Sequence, residues 1–98
     1  MTINKEVNGS KLNIALVGRL DTTTSPELEE ELKVSLADIR ELVFDFAQLE
    51  YISSAGLRVL LATQKTMNKQ GLMTVCNVNE TVMEVFEVTG FVDILTIV

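Results

Sequence analysis

The 98-residue sequence contains no histidine and a single cysteine, Cys76. Histidine is the commonest general base near neutral pH and the commonest metal ligand, so its absence argues against histidine-dependent hydrolases and zinc sites. One cysteine excludes an internal disulfide and a cysteine-based metal cluster. We therefore expect a protein that has no cofactor and no bound metal and is not an enzyme.

Positive charge is scarce as well. Eight Lys and Arg residues against fourteen Asp and Glu residues give a net charge of −6. A chain of this charge is repelled by nucleic acid and by anionic lipid, and no basic cluster offsets the repulsion. No apolar run approaches the length of a bilayer span, and the N-terminus lacks the apolar stretch of a signal peptide. We expect a cytoplasmic protein that neither binds nucleic acid nor inserts into a membrane.

The pattern of apolar residues predicts strands alternating with helices within one domain, residues 1–98. Apolar residues make up 47% of the chain and charged residues 22%, a globular composition with no linker or repeat. The predicted order is β-β-α-β-α-β-α-β, an α/β fold with an N-terminal β-hairpin and a mixed, largely parallel sheet. The predicted strands are residues 2–8, 12–18, 42–46, 73–78 and 92–98, and the predicted helices are residues 26–36, 55–70 and 80–88.

Local signals support the boundaries of these elements. Ser25 followed by Pro26 predicts a helix start with a serine cap, and Asn79 predicts another. The run 42–46 is apolar apart from Asp45, which is typical of a strand covered on both faces. In largely parallel sheets, functional loops follow the carboxyl ends of the strands. We expect the loops at 21–25 and 48–56, together with Asn79, to share one rim of the sheet.

Two serines, Ser53 and Ser54, stand where the predicted third strand ends and the second helix begins. Either one serves only as a helix cap, or the pair carries a phosphate next to the positive end of the helix dipole. Gly56 keeps side-chain bulk away, which would let another molecule approach the backbone closely. A small enzyme or nucleotide-hydrolysing protein is disfavoured, because the chain has no Gly-x-Ser-x-Gly motif, no phosphate-binding loop and no histidine.

The segment 51–60, Tyr-Ile-Ser-Ser-Ala-Gly-Leu-Arg-Val-Leu, resembles the STAS domain of bacterial anti-sigma factor antagonists. The flanking segments 18–21, 42–46 and 86–91 fit the same family, and the resemblance runs from Ile3 to Val98. It implies a protein that binds an anti-sigma factor serine kinase while unphosphorylated and is released when a loop serine is phosphorylated. A serine phosphatase then resets this partner-switching cycle, which regulates transcription.

The family's loop motif is Asp-Ser-Ser/Thr-Gly, and its first serine is the phosphate acceptor. In this chain Ser53 stands at the aspartate position, Ser54 at the acceptor, Ala55 at the second hydroxyl position and Gly56 at the glycine. Arg58 replaces a residue that is often small, one helical turn beyond the acceptor. The resemblance also leaves open a free-standing STAS subunit that docks on a transporter ATPase without phosphorylation. The expected partner-binding residues are Asp21, Thr22, Thr23, Thr24, Ser53, Ser54, Ala55, Gly56 and Arg58, with Ser54 the phosphorylation site.

Overall fold

A computed structural model describes all residues, 1–98. The chain forms four strands and three α-helices: after an opening pair of strands, helices and strands alternate, and a short 3₁₀ helix follows. The elements are β1 (Thr2–Asn8), β2 (Lys11–Leu20), α1 (Ser25–Ser35), β3 (Glu41–Ile52), α2 (Ser54–Gln70), β4 (Leu72–Cys76), α3 (Glu80–Thr89) and a 3₁₀ helix (Phe91–Asp93).

The four strands form one sheet in the order β1-β2-β3-β4. β1 and β2 are an antiparallel hairpin, whereas β2 with β3 and β3 with β4 are parallel pairs joined through α1 and α2. The predicted α/β class, N-terminal hairpin and largely parallel sheet are confirmed. No helix of the structure is both long enough and apolar enough to cross a bilayer.

The hydrophobic core lies on one face of the sheet. Ile14, Phe44 and Val75 on neighbouring strands are fully buried and join residues of all three α-helices in one cluster. The alternate residues, such as Val43 and Thr74, point to the opposite face and are only half-buried. The prediction that the third strand is covered on both faces is therefore wrong, because the helices pack on the same side.

β3 is much longer than the predicted run 42–46 and reaches Ile52. Its pairing with β2 shifts: Ala15 pairs with Asp45, but Val17 pairs with Gln48. Two residues of β3 thus stand opposite one residue of β2, which is a β-bulge. The bulge interrupts the alternation of buried and exposed residues. Beyond it, β3 continues as far as Ile52, directly before the serine pair.

The predicted last strand, residues 92–98, is wrong. The chain instead turns through the 3₁₀ helix and buries Leu95, and only Ile97 then forms a β-bridge, with Val75. The N–H of Val75 donates to the carbonyl of Thr96 at 2.9 Å, and the N–H of Val98 donates to the carbonyl of Val75 at 3.0 Å. This C-terminal tail covers the outer edge of β4 at Val75.

Helix ends follow the sequence signals with one exception. The side chain of Asn79 caps α3 by accepting from the N–H of Val82 at 2.8 Å, as predicted, and Gly90 ends it in the left-handed conformation with φ of 80°. The predicted cap of α1, Ser25, is instead the first helical residue and is buried. Thr24 occupies the cap position, and its side chain makes no capping hydrogen bond because Asp21 and Arg19 engage it instead.

Candidate functional site

Two of the predicted loops meet at the carboxyl ends of β2 and β3. The strands stay paired as far as Leu20 and Ile52, and the N–H of Ser53 donates to the carbonyl of Leu20 at 2.9 Å. The segments 21–24 and 53–56 therefore lie side by side, and together with Arg58, one turn further along α2, we name them the carboxyl rim. Asn79 contacts β3 three residues before its end, where its Nδ2 donates to the carbonyl of Leu49 at 2.6 Å.

The first loop of the carboxyl rim is held by its own hydrogen bonds. Asp21 Oδ1 accepts from the N–H groups of Thr23 at 3.0 Å and Thr24 at 3.1 Å. Thr24 Oγ1 donates to the carbonyl of Arg19 at 2.8 Å. The hydrogen bond from the Thr24 backbone, helped by that from Thr23, lowers the pKa of the Asp21 carboxyl. Asp21 and Thr24 thus shape the loop, while the side chains of Thr22 and Thr23 are exposed.

The two serines have different environments. Ser53 is extended, with φ of −100° and ψ of 176°, and its half-buried side chain caps α2 by accepting from the N–H of Gly56 at 3.5 Å. Ser54 is the first residue of α2; its side chain is exposed, and its hydroxyl makes no hydrogen bond. The N–H groups of Ser54 and Ala55 have no acceptor within the chain. Capping accordingly uses Ser53 and leaves Ser54 free.

Gly56 is required by internal packing. A Cβ added there would lie 2.8 Å from both Ile52 Cγ1 and Leu20 Cγ, closer than side chains tolerate. The space beside this buried glycine is therefore filled by the core, which accounts for the residue without an approaching molecule. Its effect on the site is indirect, since it lets the first turn of α2 sit against the ends of β2 and β3.

A cavity of about 340 Å³ lies between the first turns of α1 and α2, and Ala55, the residue after Ser54, lines it. The guanidinium of Arg58 is exposed at this cavity and makes no hydrogen bond or ion pair. The hydroxyl of Ser25 is buried without a hydrogen-bond partner. Sequence reasoning missed this cavity, because it assigned Ser25 to a helix cap. The lining residues are Thr22, Ser25, Pro26, Glu29, Ala55, Arg58 and Val59.

The remaining chemically notable side chains do not form a reactive group. No set of three His, Cys, Asp or Glu side chains is placed to hold a metal ion. Cys76 lies half-buried on the uncovered face of the sheet, and burial, together with the nearby Asp45 carboxylate, raises the pKa of its thiol. The thiol therefore stays protonated and weakly reactive at neutral pH.

Comparison with known proteins agrees with this architecture. The family model described as the STAS domain matches residues 2–98. BtrV of Bordetella bronchiseptica, a candidate anti-sigma factor antagonist, is 38% identical over 84% of this chain and 72% of that protein. The anti-sigma-B factor antagonist of Bacillus subtilis is 30% identical over 99% of this chain and 92% of that protein.

The fold also matches a solved structure of the Bacillus cell fate determinant SpoIIAA in its phosphorylated form. The TM-score is 0.77 at 18% identity, and the match covers 99% of this chain and 91% of that chain. At this identity the likeness concerns the fold.

Proposed function

The chain belongs to the anti-sigma factor antagonists of the STAS domain family, and from this we propose that it binds an anti-sigma factor serine kinase through the carboxyl rim. In this proposal the kinase phosphorylates Ser54, the modified protein is released, and a serine phosphatase removes the phosphate. The protein acts by binding and is not itself an enzyme. The observation that carries the proposal is the exposed, unbonded hydroxyl of Ser54 beside a serine already used as a cap.

The domain itself accommodates a phosphate at Ser54. A phosphate adds about −1.5 to −2 charge units at neutral pH. The first turn of α2 presents two unbonded N–H groups and the positive end of the helix dipole, which stabilises such a charge by about 0.3–1 kcal/mol. We therefore expect phosphorylation to leave the fold unchanged.

The bound partner does not accommodate the same group. A serine hydroxyl within a protein interface needs little desolvation, whereas a phosphate is bulky and strongly hydrated, and burying it is unfavourable. A loss of about 3 kcal/mol would weaken binding roughly a hundredfold. A local charge change at Ser54 is thus sufficient for release, with no conformational change in the domain.

The residues of the proposed surface contribute in two ways. Thr22, Thr23, Ser54 and Arg58 are exposed and available to a partner. The others mainly support these four: Asp21 and Thr24 hold the first loop, Ser53 caps α2, Gly56 packs against the core, and Ala55 lines the cavity between α1 and α2. This supporting set is Asp21, Thr24, Ser53, Ala55 and Gly56.

A second candidate keeps the fold and changes the partner. Ser53 stands where the family motif has aspartate, so a carboxylate that the resemblance places beside the acceptor is absent. This substitution favours a subunit that docks on a transporter ATPase without phosphorylation. Pull-down with the wild-type protein separates the two candidates, because it recovers either a serine kinase or transporter subunits.

The test of the leading proposal compares Ser54→Asp with Ser10→Asp, which makes the same charge change at an exposed turn remote from the carboxyl rim. Binding of each variant to the kinase recovered by pull-down is measured by calorimetry. We expect Ser54→Asp to bind about a hundredfold more weakly, and Ser10→Asp to bind like wild type. Both should unfold at the wild-type temperature.

Incubation with that kinase and ATP, followed by mass spectrometry, should map the phosphate to Ser54. Wild-type binding by Ser54→Asp, or a phosphate mapped elsewhere, would refute the proposed switch.

A further inference from the structure

The surroundings of Ser54 contain unused hydrogen-bond donors. The N–H groups of Ser54 and Ala55 have no acceptor, and the Arg58 guanidinium, with five N–H donors, has no partner in the chain. Arg19, near the end of β2, differs: its Nε lies 3.8 Å from Asp21 Oδ2, and its Cζ lies 4.5 Å from the ring centre of Tyr51. Of these two arginines, only Arg58 has a guanidinium that is free to bind another group.

Arg58 is placed to reach a group attached to Ser54. Residues four apart on a helix are neighbours on the same face, with Cβ atoms about 5–6 Å apart. A phosphorylated serine extends its oxygens beyond the Cβ, and the guanidinium fork binds a phosphate through two parallel hydrogen bonds. Both side chains are exposed, so nothing in the chain blocks their meeting.

The cavity between α1 and α2 gives a second, independent indication of a ligand. Ala55 and Arg58 line it from α2, and Ser25 lines it from α1. Ser25 is only 4% exposed, and its hydroxyl lacks any hydrogen-bond partner. Buried hydroxyls are normally satisfied, so Ser25 adds an unused polar group beside the cavity.

One charged group opposes an anion there. Glu29 lines the cavity from α1, but it makes no ion pair with Arg58. The Asp21 carboxylate nearby is already engaged by the N–H groups of its own loop. The free groups near Ser54 are therefore two N–H donors, one guanidinium and one exposed carboxylate. Their combined electrostatic effect at the first turn of α2 favours an anion.

We propose that the phosphate of phosphorylated Ser54 is bound by the domain itself, with Arg58 as its charged ligand at the mouth of the cavity between α1 and α2. The bound phosphate has one position, which covers the first turn of α2 and occupies the Arg58 guanidinium. A partner that uses Arg58 in the unphosphorylated state loses that contact as well as meeting a new anion. This inference rests on the proposed modification of Ser54, but its test needs no kinase.

The test introduces phosphoserine at position 54 by genetic encoding and follows its ³¹P chemical shift against pH in three proteins. The first protein has no further substitution, the second carries Arg58→Gln, and the third carries Arg40→Gln. Arg40→Gln is the matched control, because Arg40 is an exposed arginine that makes no ion pair and lies immediately before β3. A guanidinium beside a phosphate favours the dianion and lowers the second pKa. We expect that pKa about half a unit higher in Arg58→Gln than in the other two, toward the ordinary value of about 6.

A phosphoserine at position 10 provides the local control, since its titration should be the same with and without the Arg58→Gln substitution. Equal titration of the phosphoserine at position 54 in Arg58→Gln and Arg40→Gln would overturn the inference. The two proposals fail separately. Absence of phosphate on Ser54 after kinase treatment refutes the switch but leaves the titration intact, whereas kinase-dependent release with no Arg58 effect refutes only the intramolecular site.

Discussion

The two ends of the sheet use their polar groups differently. The carboxyl rim leaves the Ser54 hydroxyl, two N–H groups and the Arg58 guanidinium without partners. At the opposite end, which we name the amino end, residues 36–40 and 70–72 are bonded to one another. Gln70 Nε2 donates to the carbonyls of Leu36 at 2.8 Å and Ile39 at 2.7 Å, and the N–H of Leu72 donates to the carbonyl of Arg40 at 2.9 Å.

This difference separates residues that hold the fold from residues available to a partner. At the amino end the side chain of Gln70 is hydrogen-bonded to the backbone of the same chain, so its removal should affect stability. At the carboxyl rim the exposed side chains stabilise nothing visible in the structure, so their removal should affect binding. Substitutions at the two ends should therefore differ in their effects, and the largest expected change is at the amino end.

Gly71→Ala should cause the largest loss of stability. Gly71 has an extended φ of 171°, which any residue adopts, but an added Cβ would overlap the carbonyl of Arg40 and lie 2.6 Å from its carbon. The backbone must shift, and overpacking of this kind costs about 1–3 kcal/mol or more. Urea denaturation measures the loss. Gly9→Ala is the control: its added Cβ would meet open space, so its loss of stability reports only the cost of placing alanine at a φ of +64°. A smaller loss for Gly71→Ala than for Gly9→Ala would contradict the packing argument.

Gln70→Ala should cause the next largest loss of stability. It leaves the carbonyl of Ile39 without its donor, and it removes one of the two donors to the carbonyl of Leu36, which keeps the N–H of Ile39 at 3.1 Å. An unsatisfied, partly buried acceptor costs about 1–3 kcal/mol. Gln48→Ala removes an exposed glutamine that makes no hydrogen bond and should change the free energy of unfolding by less than about 0.5 kcal/mol. Equal unfolding midpoints for the two variants would show that the amino end does not depend on this side chain.

Asn79 sharpens the comparison, because it lies near the carboxyl rim and yet is fully used. Its Oδ1 caps α3 and its Nδ2 donates to the carbonyl of Leu49. Asn79→Ala removes both bonds and should cost about 1–2 kcal/mol, whereas Asn79→Asp keeps the capping oxygen and should cost less. Thermal unfolding of the two variants should give that order, and equal melting temperatures would assign the stabilisation to the Nδ2 hydrogen bond alone.

The smallest effect concerns the pH dependence of Asp21. Its hydrogen bonds from Thr24 and Thr23 lower its pKa below the ordinary value of 3.8. The ionised carboxylate therefore stabilises the folded state above that value, and this contribution is lost as pH falls through the lowered pKa. Asp21→Asn should melt below wild type at neutral pH, and the gap should narrow as the pH falls below about 4. Melting curves that stay parallel down to about pH 2 would exclude this contribution.

Sequence reasoning predicted the elements that obey a regular period and missed those that break it. The hairpin, the parallel strands and the helix starting after Asn79 each show a repeating apolar pattern or a capping residue. The extension of β3 from residue 46 to residue 52 was missed because the bulge opposite Leu16 disrupts the two-residue period. Of the predicted last strand, Ile97 alone forms a bridge, because the chain turns into the 3₁₀ helix after Gly90.

The site was predictable in its location and less so in its detail. The order of strands and helices places residues 21–24 and 53–56 at the same edge of the sheet. The division of labour between Ser53 and Ser54 depends on where the helix begins, and sequence signals fix helix ends only to within one or two residues. The cavity beside Arg58 depends on the approach of α1 to α2, which no local pattern encodes.

The C-terminal tail has a consequence for assembly. Strands at the edges of a sheet can recruit further strands from other copies, and repeated recruitment at both edges produces open-ended filaments. The tail already occupies the edge of β4 at Val75, through hydrogen bonds to Thr96 and Val98. Strand addition along β4 at Val75 therefore requires the tail to move, whereas antiparallel addition along β1 would use that edge in both copies. Growth by strand addition stops at two molecules unless the tail is displaced.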